Sequence, residues 1–315
     1  MARKDFLDIV SLDREEIIQL LDQAEPFKDL FTRSVKKVPA LKGKAVLMLF
    51  YEPSTRTLSS FEVAAKRLSA DVTTFDVPSS SVTKGESVRD TIDTLQAMRA
   101  DYIVVRHGLS GQPAAIARQT GASVINAGDG AHAHPTQALL DAFTLREKFP
   151  EMEGKRVLIT GDILHSRVAR STSTILRKLG VKVAFLGPGS LVPKTASPDI
   201  PRFTNYDQAI SEFGPDAVYL LRIQKERMAA PFFPSDREYH NLYGITDERL
   251  RQLAGEGTYI MHPGPINRGV ELCDAVLDYD RCLISQQVEN GIAARMSPSK
   301  TSWWIEKSLP SQQRT

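Results

Sequence analysis

Five consecutive residues, Pro53-Ser54-Thr55-Arg56-Thr57, set three hydroxyls and a guanidinium directly after the apolar run Lys44–Tyr51. A stretch with helical apolar spacing (Leu58, Phe61, Ala65, Leu68) follows at once. Amides in the first turn of a helix point outward without intrahelical partners and favour an anion. Hydroxyls and an Arg at that place add donors suited to phosphate. The simpler alternative is that Ser54 or Thr55 only caps the helix. A cap requires neither the other hydroxyls nor Arg56, so phosphate binding is the expectation. A second polar run, SSSVTKGE from Ser79 to Glu86, presents Ser80 and the ammonium of Lys84. A flexible Lys on such a loop can close over an anion as a point charge. Taken alone, a Ser-rich loop reads as solvated surface.

The remaining candidates also follow apolar runs. Arg106-His107 ends the run Tyr102–Val105, and His134-Pro135-Thr136-Gln137 follows Ser123–Asn126 and the turn Gly128-Asp129-Gly130. An imidazole that donates and an amide that accepts, in one short turn, suit a carbonyl beside an NH₂ group. In the second half, Arg167 follows Val157–Thr160, while Arg222 and Gln224 end Ala217–Leu221. Each Arg singly reads as a surface ion pair; two separated ones suit a substrate with two carboxylates. Finally, His262-Pro263-Gly264-Pro265 closes Tyr259–Met261. Its prolines and glycine hold backbone carbonyls in a fixed turn, as acceptors for an amine or amide.

The elements that must position these residues alternate between short β-rich runs and helical stretches. Strands are predicted over Lys44–Tyr51, Asp71–Val77, Tyr102–Val105, Ser123–Asn126, Val157–Thr160, Val181–Leu186, Ala217–Leu221 and Tyr259–Met261. Helices are predicted around Val88–Leu95, over Thr136–Lys148 and Ser166–Leu179, and from about Gln286 to Lys307. Gly187–Pro201 reads as irregular. This rhythm predicts an α/β protein of two doubly wound parallel-sheet domains, with the active site in the cleft between them. The expected division is 1–148, completed by a C-terminal helix over 286–315, and 149–285.

Length and composition agree: 315 residues, 42% hydrophobic and 25% charged, suggest two domains of ordinary globular type. Forty Lys+Arg against thirty-eight Asp+Glu leave a net charge of +2, which gives no reason to expect nucleic acid or an acidic membrane as partner. Cys273 and Cys282 make neither a disulfide framework nor a zinc site, and read as inert thiols of a reducing compartment. The opening MARKDFLDIVSLDREE is too charged for a signal peptide, and no apolar run approaches a membrane span. A cytoplasmic enzyme without metal or cofactor is expected.

In order along the chain, YEPSTRT, SSSVTKGES, VVRHG, NAGDG with HPTQALLD, GDILHSRVARS, LLRIQKER and MHPGPINRGVEL resemble the aspartate/ornithine carbamoyltransferase family. PSTRT marks the wider family; HPTQ, the Lys84 loop and LLRIQKER narrow the resemblance to the aspartate branch. It implies transfer of the carbamoyl group of carbamoyl phosphate to the α-amine of L-aspartate, a step of pyrimidine synthesis. By matching position, Ser54, Thr55, Arg56 and Thr57 hold the phosphate. Thr57, Arg106 and His134 donate to the carbonyl oxygen, and Gln137 holds the NH₂ with backbone carbonyls near Gly264 and Pro265. Arg167, Arg222 and Gln224 receive aspartate. Ser80 and Lys84 enter from a neighbouring chain of a homotrimer with shared active sites, to which dihydroorotase or regulatory subunits are candidate additions.

The family also implies that the departing phosphate takes the amine's proton, no general base being evident. Leu58 departs from the basic or aromatic residue often found there, and is expected to alter packing more than ligand contact. An ornithine or other amine carbamoyltransferase would need acidic or amide groups for a cationic side chain, and a Cys in the His262–Pro265 run. A catalytically inactive scaffold would have lost some of Arg56, His134 and Gln137, and all three are present.

Overall fold

The computed structural model describes residues 4–76, 97–192, 199–223 and 235–297. The chain divides into two compact units, Met1–Phe143 with Glu289–Thr315, and Thr144–Val288.

In the first unit the continuous apolar run becomes β1 (Ala45–Phe50), buried from Val46 onward on both faces. Burial on both faces is what a parallel sheet covered by helices requires. With β2 (Asp71–Asp76), β3 (Tyr102–His107) and β4 (Ser123–Asp129) it forms a parallel sheet in the order β2-β1-β3-β4. Helices α1 (Arg14–Asp29), α2 (Thr55–Arg67), α3 (Gln112–Gln119) and α4 (Pro135–Arg146) belong to this half of the chain. Leu47, Leu49, Ile103, Val105 and Val124 pack with Ile116 and Ala117 of α3 as one core. The β4 edge is covered by the N-terminal segment, where Phe6 N–H donates to Val124 at 2.8 Å and Asn126 N–H to Phe6 at 2.9 Å.

In the second unit β5 (Arg156–Thr160), β6 (Lys182–Leu186), β7 (Arg202–Phe203), β8 (Ala217–Leu220) and β9 (Tyr259–Met261) form another parallel sheet. Its order is β7-β6-β5-β8-β9. Helices α5 (Arg167–Lys178), α6 (Tyr206–Phe213), α7 (Asp236–Tyr243) and α8 (Asp247–Gly255) accompany it. Its core gathers Leu158, Leu186, Val218, Leu220 and Ile260 with Tyr206, Ile210 and Tyr239. The last described helix, α9 (Ile284–Met296), carries the chain from the second unit into the first.

Both sheets are doubly wound, and each has one point where the strand order reverses. In the first it lies between β1 and β3, in the second between β5 and β8. Ligands of such sheets bind beyond the carboxyl ends of the strands at that point. The PSTRT run follows β1 and Arg106 ends β3; Arg167 follows β5 and Arg222 follows β8.

Several elements differ from the expected bounds. β3 continues to His107 and β4 to Asp129, because His107 pairs with Asp129 after a register shift at Val105–His107. The predicted Val88–Leu95 helix and Ser79–Glu86 loop lie outside the described residues, as does the C-terminal stretch beyond 297. Helices α1, α3, α6, α7 and α8 and the short β7 have no counterpart among the elements predicted from the sequence. Among the described residues no helix is long and apolar enough to cross a membrane. Cys273 and Cys282 are free and half-buried, and burial pushes both thiols up, away from the reactive thiolate.

Ile103 has no exposed surface and sits mid-strand in β3. Ile103→Ala should lower stability by about 2–5 kcal/mol, through lost transfer energy and the cavity left behind. Val35→Ala, at a residue 69% exposed, should change it by less than about 0.5 kcal/mol. Chemical denaturation of the two variants side by side checks both values.

Candidate active site

The chain leaves β1 through Tyr51, whose N–H donates to the Arg106 carbonyl at 2.8 Å, so the exits of β1 and β3 are tied together. Ser54 then stands at the N-cap position of α2, but its side chain makes no capping bond. Its hydroxyl instead donates to Thr57 Oγ1 at 2.9 Å. The capping alternative for Ser54 therefore fails: the first-turn amides of α2 are not closed by it. Thr55 and Arg56 are exposed, Thr57 is buried, and Leu58 is half-buried. The start of α2 therefore has no side-chain cap and an exposed guanidinium beside it, and helix N-termini in general favour negative charge.

Arg106 is only 7% exposed. Its Nη1 donates to the Ala127 carbonyl at 3.1 Å and its Nη2 to Glu52 Oε1 at 3.3 Å. These two acceptors fix the guanidinium plane at the sheet end. His107 serves the turn instead: its Nδ1 accepts from Leu109 N–H at 2.9 Å, and its ring lies 4.7 Å from that of Tyr51. Burial holds its pKa below the ordinary imidazole value, against the pull of Asp129 and Glu52. Neutral His107 thus carries its proton on Nε2.

His134 and Gln137 owe their placement to Asp129, a carboxylate 1% exposed. Asp129 accepts from Gly111 N–H at 2.6 Å, Asn126 Nδ2 at 2.8 Å and Ala133 N–H at 3.1 Å, and its Oδ2 meets His132 Nδ1 at 2.9 Å. Gly130 completes the turn at φ +47°; a Cβ there would meet Ser110 Oγ at 2.5 Å and Ser110 N at 2.8 Å. The chain emerges at His134, whose carbonyl accepts from Gln137 and Ala138 N–H at 3.1 and 3.2 Å as α4 begins. His134 is 5% and Gln137 8% exposed. Gln137 Nε2 donates to Asp141 Oδ1 at 3.0 Å, one turn further along α4. Thr57, Arg106, His134 and Gln137 thus all lie at the carboxyl end of one sheet. Ser80 and Lys84 lie outside the described residues.

In the second unit Arg167 is the first residue of α5, and Ser166 caps the helix by accepting from Ala169 N–H at 3.1 Å. Asp162, at the exit of β5, accepts from His165 N–H at 3.0 Å and meets the His165 ring nitrogen at 3.1 Å. Arg222 stands half-buried between buried Leu221 and Ile223. Ile223 is clamped on both sides: its N–H donates to Glu271 Oε1 at 2.9 Å, and its carbonyl accepts from Asn267 Nδ2 at 3.2 Å. Glu271, 1% exposed, also accepts from Asn267 N–H at 2.6 Å and Nδ2 at 2.7 Å. Gly264 N–H donates to His262 Nδ1 at 2.8 Å, which leaves the imidazole proton on Nε2, 3.7 Å from Glu271 Oε2. That separation is too long for a hydrogen bond and acts only as charge against dipole. Glu271 therefore ties the Arg222 strand end to Asn267, two residues beyond the Gly264–Pro265 pair, whose peptide bond is cis. Gln224 lies outside the described residues.

Asp129, Asp141 and Glu271 were missed as site residues. The signal was present, since all three fall inside the quoted runs NAGDG, HPTQALLD and MHPGPINRGVEL. An acidic residue on a predicted turn or helix carries no mark of burial in sequence.

Comparison with known proteins adds to this geometry. The carbamoyl-P binding domain of the aspartate/ornithine carbamoyltransferases matches residues 4–147, and the Asp/Orn binding domain of the same family matches 153–297. The aspartate carbamoyltransferase catalytic subunit of Akkermansia muciniphila is 70% identical over 295 residues, which cover 94% of this chain and 95% of the relative. Among solved structures, the catalytic subunit of M. Jannaschii aspartate transcarbamoylase is 33% identical with a TM-score of 0.83, covering 97% and 99% of the two chains. Aspartate transcarbamoylase from Trypanosoma cruzi, in complex with carbamoyl phosphate and aspartate, is 28% identical with a TM-score of 0.83, covering 93% and 95%. Matched in both domains and in order, the chain belongs to the aspartate/ornithine carbamoyltransferase family.

Proposed function

We propose that this chain transfers the carbamoyl group of carbamoyl phosphate to the α-amine of L-aspartate, giving N-carbamoyl-L-aspartate and phosphate. The observation that carries this reading is the uncapped start of α2 at the β1–β3 reversal, with buried Arg106 and His134 on the same sheet end. The 70% identical relative bears the name of this activity. The α2 amides, Ser54, Thr55, Arg56 and Thr57 receive the phosphate. Thr57, Arg106 and His134 donate to the carbonyl oxygen, where negative charge develops as the amine attacks. Removing one such donor typically costs ~10²–10³ in rate. Gln137 and the carbonyls of Gly264 and Pro265 accept from the carbamoyl NH₂. Arg167, Arg222 and Gln224 receive the two carboxylates of aspartate.

The new bond joins the aspartate nitrogen to the carbamoyl carbon, and the carbon–oxygen bond to phosphate breaks. The amine's surplus proton leaves with the phosphate, whose third charge makes it the strongest base at the reacting centre. The same reading places the chain in a cytoplasmic homotrimer in which Ser80 and Lys84 complete the neighbour's site, at an early step of pyrimidine synthesis. Regulatory subunits or dihydroorotase are its candidate partners.

Phosphate release from carbamoyl phosphate should depend on aspartate, with ornithine and putrescine inert in parallel assays. Arg56→Ala should abolish that release while leaving the far-ultraviolet dichroism unchanged; near-normal turnover would remove the phosphate assignment. Arg167→Ala and Arg222→Ala should each raise the KM for aspartate by an order of magnitude or more, as expected for a charge-assisted contact. Carbamoyl phosphate affinity, read by calorimetry, should stay within about threefold, the scatter of contacts remote from a ligand. For the shared site, inactive Arg56→Ala and Lys84→Ala chains are dissociated and reassembled together. Activity should return in mixed trimers, because one interface then joins two native residues. Confirmed mixed trimers without activity would place Lys84 outside the neighbour's site.

A further inference from the structure

We infer that Asp141, held in the core with Arg295, is a positioning residue that fixes the amide of Gln137. It turns Gln137 Oε1 toward the donor's NH₂ and so sets the preference for a carbamoyl over an acyl donor. The inference rests on the function proposed above.

Gln137 Nε2 donates to Asp141 Oδ1 at 3.0 Å, an i, i+4 contact on α4 with both groups buried. An ionised carboxylate only accepts, so of the two ends of the Gln137 amide only the NH₂ can face it. The carbonyl end must then face away from Asp141. Asp141 has no exposed surface, and a carboxylate so placed stays ionised only with a cation at hand. Arg295 of α9 supplies it, 6% exposed and held by Ser60 Oγ and the Gly291 carbonyl, each at 2.9 Å from its Nη1. Its guanidinium carbon lies 5.1 Å from the Phe61 ring centroid. Burial lowers the Arg295 pKa to about 10, against the opposing charge of Asp141, so it remains a cation at neutral pH.

A Gln amide is nearly symmetric in shape, and nothing in its own chemistry prefers one face. With Nε2 turned toward the ligand, two NH₂ groups would meet and the donor would be rejected. With Oε1 there, carbamoyl phosphate finds an acceptor, while acetyl phosphate, the same shape with CH₃ for NH₂, offers nothing to it.

The test measures the affinities of carbamoyl phosphate, acetyl phosphate and inorganic phosphate by calorimetry on the full chain. Asp141→Asn lets the Gln137 amide adopt either face. It should weaken carbamoyl phosphate about tenfold, the loss of one charge-ordered contact, while acetyl phosphate and phosphate change less than about twofold. Because this variant leaves Arg295 without its counter-charge, the double variant Asp141→Asn/Arg295→Gln is made beside it, and it should lose the same discrimination. Parallel weakening of all three ligands, or unchanged discrimination in the folded variants, would overturn the inference alone. Failure of the unsubstituted protein to bind carbamoyl phosphate would overturn the functional reading and the inference with it. In the unsubstituted protein, the Gln137 side-chain amide should also show one slowly exchanging proton by ¹⁵N NMR, with or without carbamoyl phosphate. Fast exchange of both protons would overturn the inference even if neither variant folds.

Discussion

A carboxylate removed from water must have its lone pairs filled, and Asp129 fills them with donors from three stretches of chain around one turn. That constraint fixes where β4 stops and where α4 begins, and therefore where His134 and Gln137 stand. The second unit solves the same problem with Glu271, whose oxygens take donors from Ile223 and Asn267 and so lock the Arg222 strand end against the following turn. At the opposite end of the first sheet, half-buried Asp101 holds the start of β1, accepting from Ala45 N–H at 2.9 Å and from Lys44 Nζ at 3.0 Å. Each knot replaces flexible loop geometry by a small set of charge-assisted bonds, which are shorter and stronger than neutral ones. Precision at the ligand end of the sheets follows from these, since the strands alone position only their own backbones.

The positive side chains are treated differently. Arg106 and Arg167 are buried at the sheet ends, whereas Arg56 is left in solvent at the head of α2. A buried guanidinium with a fixed plane gives direction but has lost part of its hydration, so an incoming anion meets little competing water. An exposed one attracts at range and must be ordered on contact. At Arg106 the first arrangement suits an oxygen on which charge grows during reaction; at Arg56 the second suits a charge already present on the free ligand.

The parts legible in the sequence were those with a local signature. PSTRT between an apolar run and helical spacing announced the strand, the turn and the helix start, because all three depend on neighbours in the chain. The α1 helix carries equally local signs, though no helix is predicted there. Asp13 and Glu16 form a reciprocal cap, at 2.7 and 2.9 Å, ahead of Ile17, Leu20, Leu21 and Ala24 on one face. What the sequence could not mark was burial of acids such as Glu271, whose donors arrive from 48 residues away at Ile223. The ends of β3 and β4 were misplaced for the same reason: the His107–Asp129 pairing is made across the sheet, not along the chain.

The return of α9 to the first unit has a consequence for how the protein is made. The polypeptide completes the four described strands of the first sheet before the five of the second, yet Arg295, which packs on Ser60 and Phe61 of α2, is synthesised after both. On the ribosome, the second unit is therefore a continuous segment that can close as soon as it emerges, while the first waits with the Asp141 carboxylate lacking its counter-charge. Translation order thus runs opposite to the order in which the two halves can finish folding. Loss of α9 would injure the half of the molecule encoded first.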